Sequence, residues 1–237
     1  MDHESSAQVA FITGASRGIG KAIAIRLAQL DYNLCLLARD KNSLDSVVTE
    51  CERSNAAVMT VIGDVANIAF MNSAVDGALE KFGRVDVLIN NAGKTSRAPV
   101  HSADLDEWRN VLDVNFTAVM HLTRQLLPQM IERKSGAVIN LSSLSGRHTD
   151  AGAAIYAATK HALNGFSGCL YEDVRDYGIK VSTIMPGFVE TELTAKIGKQ
   201  SANMIQTSDI ADAVAYVLSA SPSCCPTEIV IRPQRRP

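Results

Sequence analysis

Hydrophobic and polar positions along this chain follow two rhythms in turn. Short, continuous apolar runs, the pattern of strands covered on both faces, are separated by stretches in which apolar residues recur every three to four positions. The runs VAFIT (9–13), NLCLLA (33–38), AVMTVIGD (57–64), VDVLIN (85–90), GAVINLSS (136–143), IKVSTIMP (179–186) and TEIVIR (227–232) predict strands. The spacing between them predicts helices over 18–30, 42–53, 67–82, 104–133, 153–177 and 208–220, the last capped by Thr207 or Ser208. Strands and helices in alternation predict an α/β fold, a doubly wound parallel seven-stranded sheet with helices on both faces. No repeat or break in composition divides residues 1–237, so one domain is expected. Within it, a short mobile segment near 190–207 and a flexible basic tail at 233–237 are expected.

Composition changes this picture little. The chain is 46% apolar and 20% charged with a formal net charge of -2, and its Lys and Arg residues form no long stripe for a nucleic acid. No apolar run approaches the roughly 18 residues needed to cross a bilayer. The polar start MDHESSAQ has no apolar signal segment, so a cytoplasmic protein is expected. Cysteines 35, 51, 169, 224 and 225 show neither CxxC nor Cys/His spacing, which points to reduced thiols and no metal site. Cys35 reads as a small buried hydrophobe, and the Cys224–Cys225 pair as a loop feature.

Chemistry enters at TGASRGIG (13–20), placed between the first strand and first helix. Gly14, Gly18 and Gly20 permit a tight turn, close approach of backbone to a pyrophosphate, and close packing of helix on sheet. The helix start then offers free N–H groups to phosphate. The spacing is G-x-x-x-G-x-G rather than G-x-G-x-x-G, and its place in the order of elements is what makes it informative. An NAD site wants an acid about 20 residues further on, at the ribose 2′-hydroxyl. That place here reads Ala38-Arg39. Arg39, with Arg17 from the glycine loop, suits a 2′-phosphate and favours NADP(H) over NAD(H). Asp40 stands against this, since a shift of one residue would bring an acid to the ribose.

Tyr156 and Lys160 lie one helical turn apart on one face, thirteen residues beyond Ser143 at a strand end. A free phenol is a poor proton-transfer group at neutral pH, and a neighbouring cation is expected to lower its pKa. Alternation along the strand predicts that Ser142 and Ser143 point to opposite faces. His101, His148 and His161 lack a zinc-like cluster and read as surface or capping residues.

With these motifs and NNAG (90–93) in place, the chain resembles the short-chain dehydrogenase/reductase family over about residues 8–192. It looks most like the 3-oxoacyl-carrier-protein reductases and broad carbonyl reductases. The resemblance implies a Rossmann fold that binds NADP(H) through Gly14, Ser16, Arg17, Gly18, Ile19 and Gly20, and through Arg39. It places Asp64 and Val65 at the adenine, and Asn91, Ala92 and Gly93 along the cofactor. Pro186, Gly187, Val189 and Thr191 match the segment that holds the nicotinamide carboxamide, with Tyr156 and Lys160 completing the binding set. Asn115, Ser143, Tyr156 and Lys160 match the family's catalytic set. In that set the tyrosine is proton donor, the serine stabilises the developing oxyanion, the lysine holds the nicotinamide ribose, and the asparagine sits at a local helix distortion.

A homotetramer or homodimer built on the helices at 104–133 and 153–177 is implied too. The chain departs from the family after Thr191, in a short connection and in the ending IVIRPQRRP. These readings predict an NADPH-dependent reductase of a ketone, aldehyde or 3-oxoacyl group. An NADP-dependent dehydrogenase of 3-hydroxy acids or alcohols, and a catalytically idle NADP(H)-binding sensor, are the alternatives. The substrate pocket is expected from residues 94–97, 144–154 and 188–206, with 190–206 as a lid. Lys94, Arg97, Arg147 and His148 either favour an anionic or carrier-bound substrate or are solvated decoration.

Overall fold

A computed structural model describes residues 7–192, 194 and 201–237. Seven strands form one parallel sheet: β1 (Val9–Thr13), β2 (Asn33–Ala38), β3 (Val58–Ile62), β4 (Val87–Asn90), β5 (Gly136–Leu141), β6 (Ile179–Pro186) and β7 (Glu228–Ile231). Their order in space is β3-β2-β1-β4-β5-β6-β7, so the connections wind outward both ways from the β1–β4 junction. In sheets of this kind ligands bind at the carboxyl ends of the strands beside such a switch point. The glycine loop leaves β1 there and NNAG leaves β4 beside it.

The helices are α1 (Gly18–Ala28), α2 (Lys41–Glu52), α3 (Ile68–Phe82), α4 (Leu105–Leu112), α5 (Ala118–Arg133), α6 (Ala154–Val174) and α7 (Thr207–Ser219). Because strand side chains alternate between faces, β1 serves two cores at once. Ala10 and Ile12 pack with Ile23 and Leu27 of α1, Leu44 of α2 and Val214 of α7. Val9 and Phe11 pack with Met71 of α3, Leu122 and Leu126 of α5, and Leu170 of α6. A fully buried side chain of this size contributes about 1.5–3 kcal/mol, so the sheet is a stiff floor beneath the loops at its edge.

The stretch expected as one helix over 104–133 is interrupted. Between α4 and α5, residues Asp113–Thr117 form a π turn, with Asn115 buried inside it. One added residue widens the turn without breaking the apolar rhythm, so periodicity alone runs straight through it. The cap of α7 also differs from expectation. Gln206, not Thr207 or Ser208, holds the N-terminus in a capping box with Asp209. Strand β5 ends at Leu141, two residues earlier than expected, because Ser143 turns out of the sheet and caps the short 3₁₀ turn Leu144–Gly146.

Of the segment expected to be a mobile lid, residues 193 and 195–200 lie outside the described residues. Its two ends meet: Glu190 N donates to Ile205 O at 2.8 Å and Ile205 N to Phe188 O at 2.9 Å. In the basic tail, Arg236 O accepts from Asn203 Nδ2 at 2.9 Å.

Candidate active site

The loops at the carboxyl ends of the strands enclose a cleft of about 780 Å³. Its first wall is the glycine loop. Gly14 has φ +66°, and a Cβ added at Gly20 would lie 2.2 Å from Gly14 O. Only glycine lets α1 approach the turn this closely. Arg17 stands at the N-cap of α1, no side chain caps that helix end, and no acid occupies its first turn. The exposed N–H groups and positive helix end therefore face the cleft unopposed, which fits a pyrophosphate. Thr13 fixes the loop to NNAG: its hydroxyl accepts from Asn91 N and Ala92 N, both at 3.0 Å. Asn91 Nδ2 returns to Thr13 O at 2.9 Å and Gly14 O at 3.0 Å.

At the far end of β2, Arg39 and Asp40 take different roles. Asp40 caps α2, with Oδ1 accepting from Ser43 N at 2.6 Å, and these bonds from Ser43 hold its carboxyl below the usual range. Arg39 is exposed and 3.7 Å from Asp64 Oδ2, across the same cleft. Arg17 is ion-paired with Glu192, an exposed residue beyond β6 that also lines the cleft. Pro186, Gly187, Val189 and Thr191 line the opposite wall, and a Cβ at Gly18 would sit 3.3 Å from Thr191 Cγ2. Ser16, Ile19, Val65 and Gly93 also line it.

Ser143 and Tyr156 line the same cleft, and the serine hydroxyl acts to lower the phenol's pKa. Ser142 is buried behind it, Oγ to Lys160 O at 3.4 Å, so the expected division between the two serines is present. Lys160 is buried, with Nζ donating to Leu141 O at 2.7 Å. That carbonyl is free because the sheet ends there. Asn115 ties the π turn to this group: its Nδ2 donates to Lys94 O at 2.9 Å and Thr159 Oγ1 at 3.1 Å, while Oδ1 accepts from Lys94 N at 2.8 Å. Thr159 Oγ1 passes on to Tyr156 O at 2.8 Å. Thr13, Thr159, Leu141 and Glu192 are site residues that motif reading missed. A hydroxyl or carbonyl serving as a bracket leaves no sequence signal, apart from Thr13 standing inside the glycine motif.

The electrostatics correct one expectation. Burial pushes the Tyr156 phenol above its ordinary range, opposed by the Ser143 hydrogen bond and by the charge of Arg97. Lys160, 5.8 Å from the tyrosine ring centroid, does not reverse this, and its own pKa is pulled down by burial to about 8. Desolvation is the largest cause of both shifts in the protein by itself. The cysteines stay out of the site: all five are free, and burial raises Cys35 to about 12 and Cys51 to about 11. Among the described residues no group of His, Cys, Asp and Glu could hold a metal ion, and no helix is long and apolar enough to cross a membrane.

A family model described as short chain dehydrogenase matches residues 8–202. The chain belongs to the short-chain dehydrogenase family. An uncharacterized oxidoreductase of Staphylococcus aureus (strain USA300) is 33% identical over 95% of this chain and 97% of its own length. Among solved structures, a metagenomic short-chain oxidoreductase in complex with NADP is 34% identical, with a TM-score of 0.86 over 98% of this chain and 100% of its own. Actinorhodin polyketide ketoreductase with NADPH is 28% identical, with a TM-score of 0.88 over 96% of each chain. The protein is thus a short-chain dehydrogenase/reductase, an NAD(P)-dependent oxidoreductase on a single Rossmann domain.

Proposed function

We propose that this short-chain dehydrogenase is an NADPH-dependent reductase of a ketone, aldehyde or 3-oxoacyl group, with Tyr156 as proton donor. The observation that carries the reading is that Ser143, Tyr156 and Lys160 line one cleft together with the glycine loop and the uncapped start of α1. When bound, a reduced nicotinamide supplies the hydride. The chain does the rest. Tyr156 Oη gives its proton to the oxygen of the substrate carbonyl as that oxygen becomes an alkoxide. Ser143 Oγ donates a hydrogen bond to the same oxygen and stabilises its charge as it forms. Lys160, held by Leu141 O, opposes the negative charge left on the phenol. Asn115 and Thr159 position the turn beneath both.

A panel of ketones, aldehydes, 3-oxo esters and 3-hydroxy acids, followed by nicotinamide absorbance, tests the reading. Turnover of an oxo compound with NADPH is expected. Silence across the panel, with NADPH still bound, would leave an idle cofactor-binding protein.

The preference for NADP(H) is supported by Asp40, whose carboxylate is committed to the α2 cap and does not offer itself to a ribose hydroxyl. Two guanidiniums, Arg17 and Arg39, line the cleft instead, and the NADP and NADPH complexes of the similar structures agree with this. Arg39→Asp is expected to weaken NADPH about tenfold to a hundredfold, by loss of a charged hydrogen-bonding pair, with NADH unaffected or improved. Dissociation constants for both cofactors check it. An unchanged ratio would place the 2′-phosphate elsewhere.

A further inference from the structure

Among the described residues, Lys94, Arg97, Arg147 and His148 are the basic side chains expected at the substrate pocket, and three of the four are engaged within the protein. Lys94 Nζ donates to Asn110 Oδ1 at 2.7 Å, Arg147 is ion-paired with Glu228 on β7, and His148 Nε2 lies 3.1 Å from Arg232 Nη2. Arg97 differs. Its side chain is exposed, and among the described residues no hydrogen bond or ion pair is found for its guanidinium; the acid of the facing turn, Asp150, does not take it.

The backbone beneath Arg97 is fixed on both sides. Lys94 N is held by Asn115 Oδ1 at 2.8 Å, and Ala98 N donates to Gly152 O at 2.9 Å. Ser96, between them, is buried, while Lys94 and Thr95 line the cleft. The segment is thus a strap from the π turn to the turn that starts α6, the helix carrying Tyr156. Arg97 rides on that strap two residues after Thr95 of the cleft lining and next to Ala98, which the turn before α6 holds. Among the described residues, Arg97 is thus the cation of these four left without a partner to receive an anionic group joined to a carbonyl that sits on Tyr156.

We propose that Arg97 is the anion receptor of the substrate site, and that the preferred substrate is an oxo acid carrying a free carboxylate rather than its neutral ester. This rests on the reading that Tyr156 protonates the carbonyl. The guanidinium forks onto the two carboxylate oxygens. It fixes the ketone on the phenol, and no bond to the carboxylate changes. The ketone gains the hydride from NADPH and the proton from Tyr156, and leaves as a hydroxy acid with NADP⁺. Arg97 is a specificity residue in this scheme, and the proton is handled by Tyr156 alone.

The test uses the full chain with saturating NADPH and two probes, acetoacetate and its ethyl ester, which share the reacting ketone and differ in the charge. The protein is expected to favour acetoacetate in kcat/KM. Arg97→Met is expected to raise KM for acetoacetate about tenfold to a hundredfold, the size of a lost charged hydrogen-bonding pair, with little change in kcat. The ester shares any effect of the lost charge on Tyr156 and is expected to lose far less than acetoacetate, which separates lost recognition from a damaged fold. Arg97→Lys should restore part of the loss by keeping the charge without the fork. Equal use of acid and ester by the unmodified protein, or equal damage to both in Arg97→Met, overturns the receptor role and leaves the reductase reading standing. Failure of the unmodified protein to reduce either probe overturns this proposal and counts against the reductase reading as well.

Discussion

Tyr156→Phe is expected to lower kcat by about a hundredfold to ten-thousandfold, the usual contribution of a positioned general acid. NADPH affinity should stay within about fivefold, since one hydrogen bond is removed and the ring is kept. The cause is local. Burial holds the phenol protonated well into the alkaline range, so at neutral pH the donor is loaded. Giving up that proton creates a buried phenolate, and Lys160 is the nearby cation that opposes its charge. Lys160 loses its own proton at about 8, because burial disfavours its charged form. The rate of carbonyl reduction is therefore expected to fall as pH rises through about 8. Unfolding does not explain such a fall. Above about 8 the unfolded chain binds the Lys160 proton more tightly than the folded one, so this group's contribution to stability rises with pH there. Stopped-flow single turnovers on both proteins check the claim; a phenylalanine variant retaining a tenth of the turnover would remove Tyr156 from its role.

The strands were legible because a parallel strand covered on both faces has no polar rhythm to hide it, and β1, β2 and β6 fall where their apolar runs lie. Strand ends were less so. Ser142 and Ser143 continue the run of β5 in composition, yet the Ser143 side chain accepts from Ser145 N at 3.1 Å and leaves the sheet. The π turn has the same character. Its apolar periodicity is continuous, and what fixes it is Asn115 reaching Lys94, 21 residues away.

Motifs supplied the identities of the site and not its balance of forces. The sign of the Tyr156 shift depends on how deeply the hydroxyl is covered, a property of the packing of α6 on β5. Arg17 and Glu192 pair across 175 residues, and Arg147 and Glu228 across 81, separations over which no local pattern operates. Those pairings also divide the basic rim, committing Arg147 and leaving Arg97, a distinction that composition alone could not draw.

Asp86 was invisible for the same reason, and its removal should cost the most stability of any single acid in the described sheet. In VDVLIN it reads as a stray polar residue at a strand start. In the fold its side chain is 2% exposed. Oδ2 accepts from Val9 N at 2.8 Å, fastening the start of β1, and Oδ1 accepts from Arg84 Nε at 2.9 Å with Arg133 Nη2 at 3.6 Å. Arg133 and Gln129 in turn hold Val85 O at 3.0 and 2.8 Å, so one carboxylate organises the base of β1, the approach to β4 and the end of α5. Asp86→Ala leaves two arginines and a buried N–H without their acceptor. Breaking a buried pair from one side costs about 3–5 kcal/mol. For a domain of this size that is roughly a 10 °C fall in Tm. Asp86→Asn keeps an acceptor for Val9 N while removing the charge, and should lose less than the alanine variant. Urea unfolding of the three proteins separates these contributions. An alanine variant within about 1 kcal/mol of the parent would mean that solvent already screens the arginines, and that Val9 N finds water in place of the carboxylate.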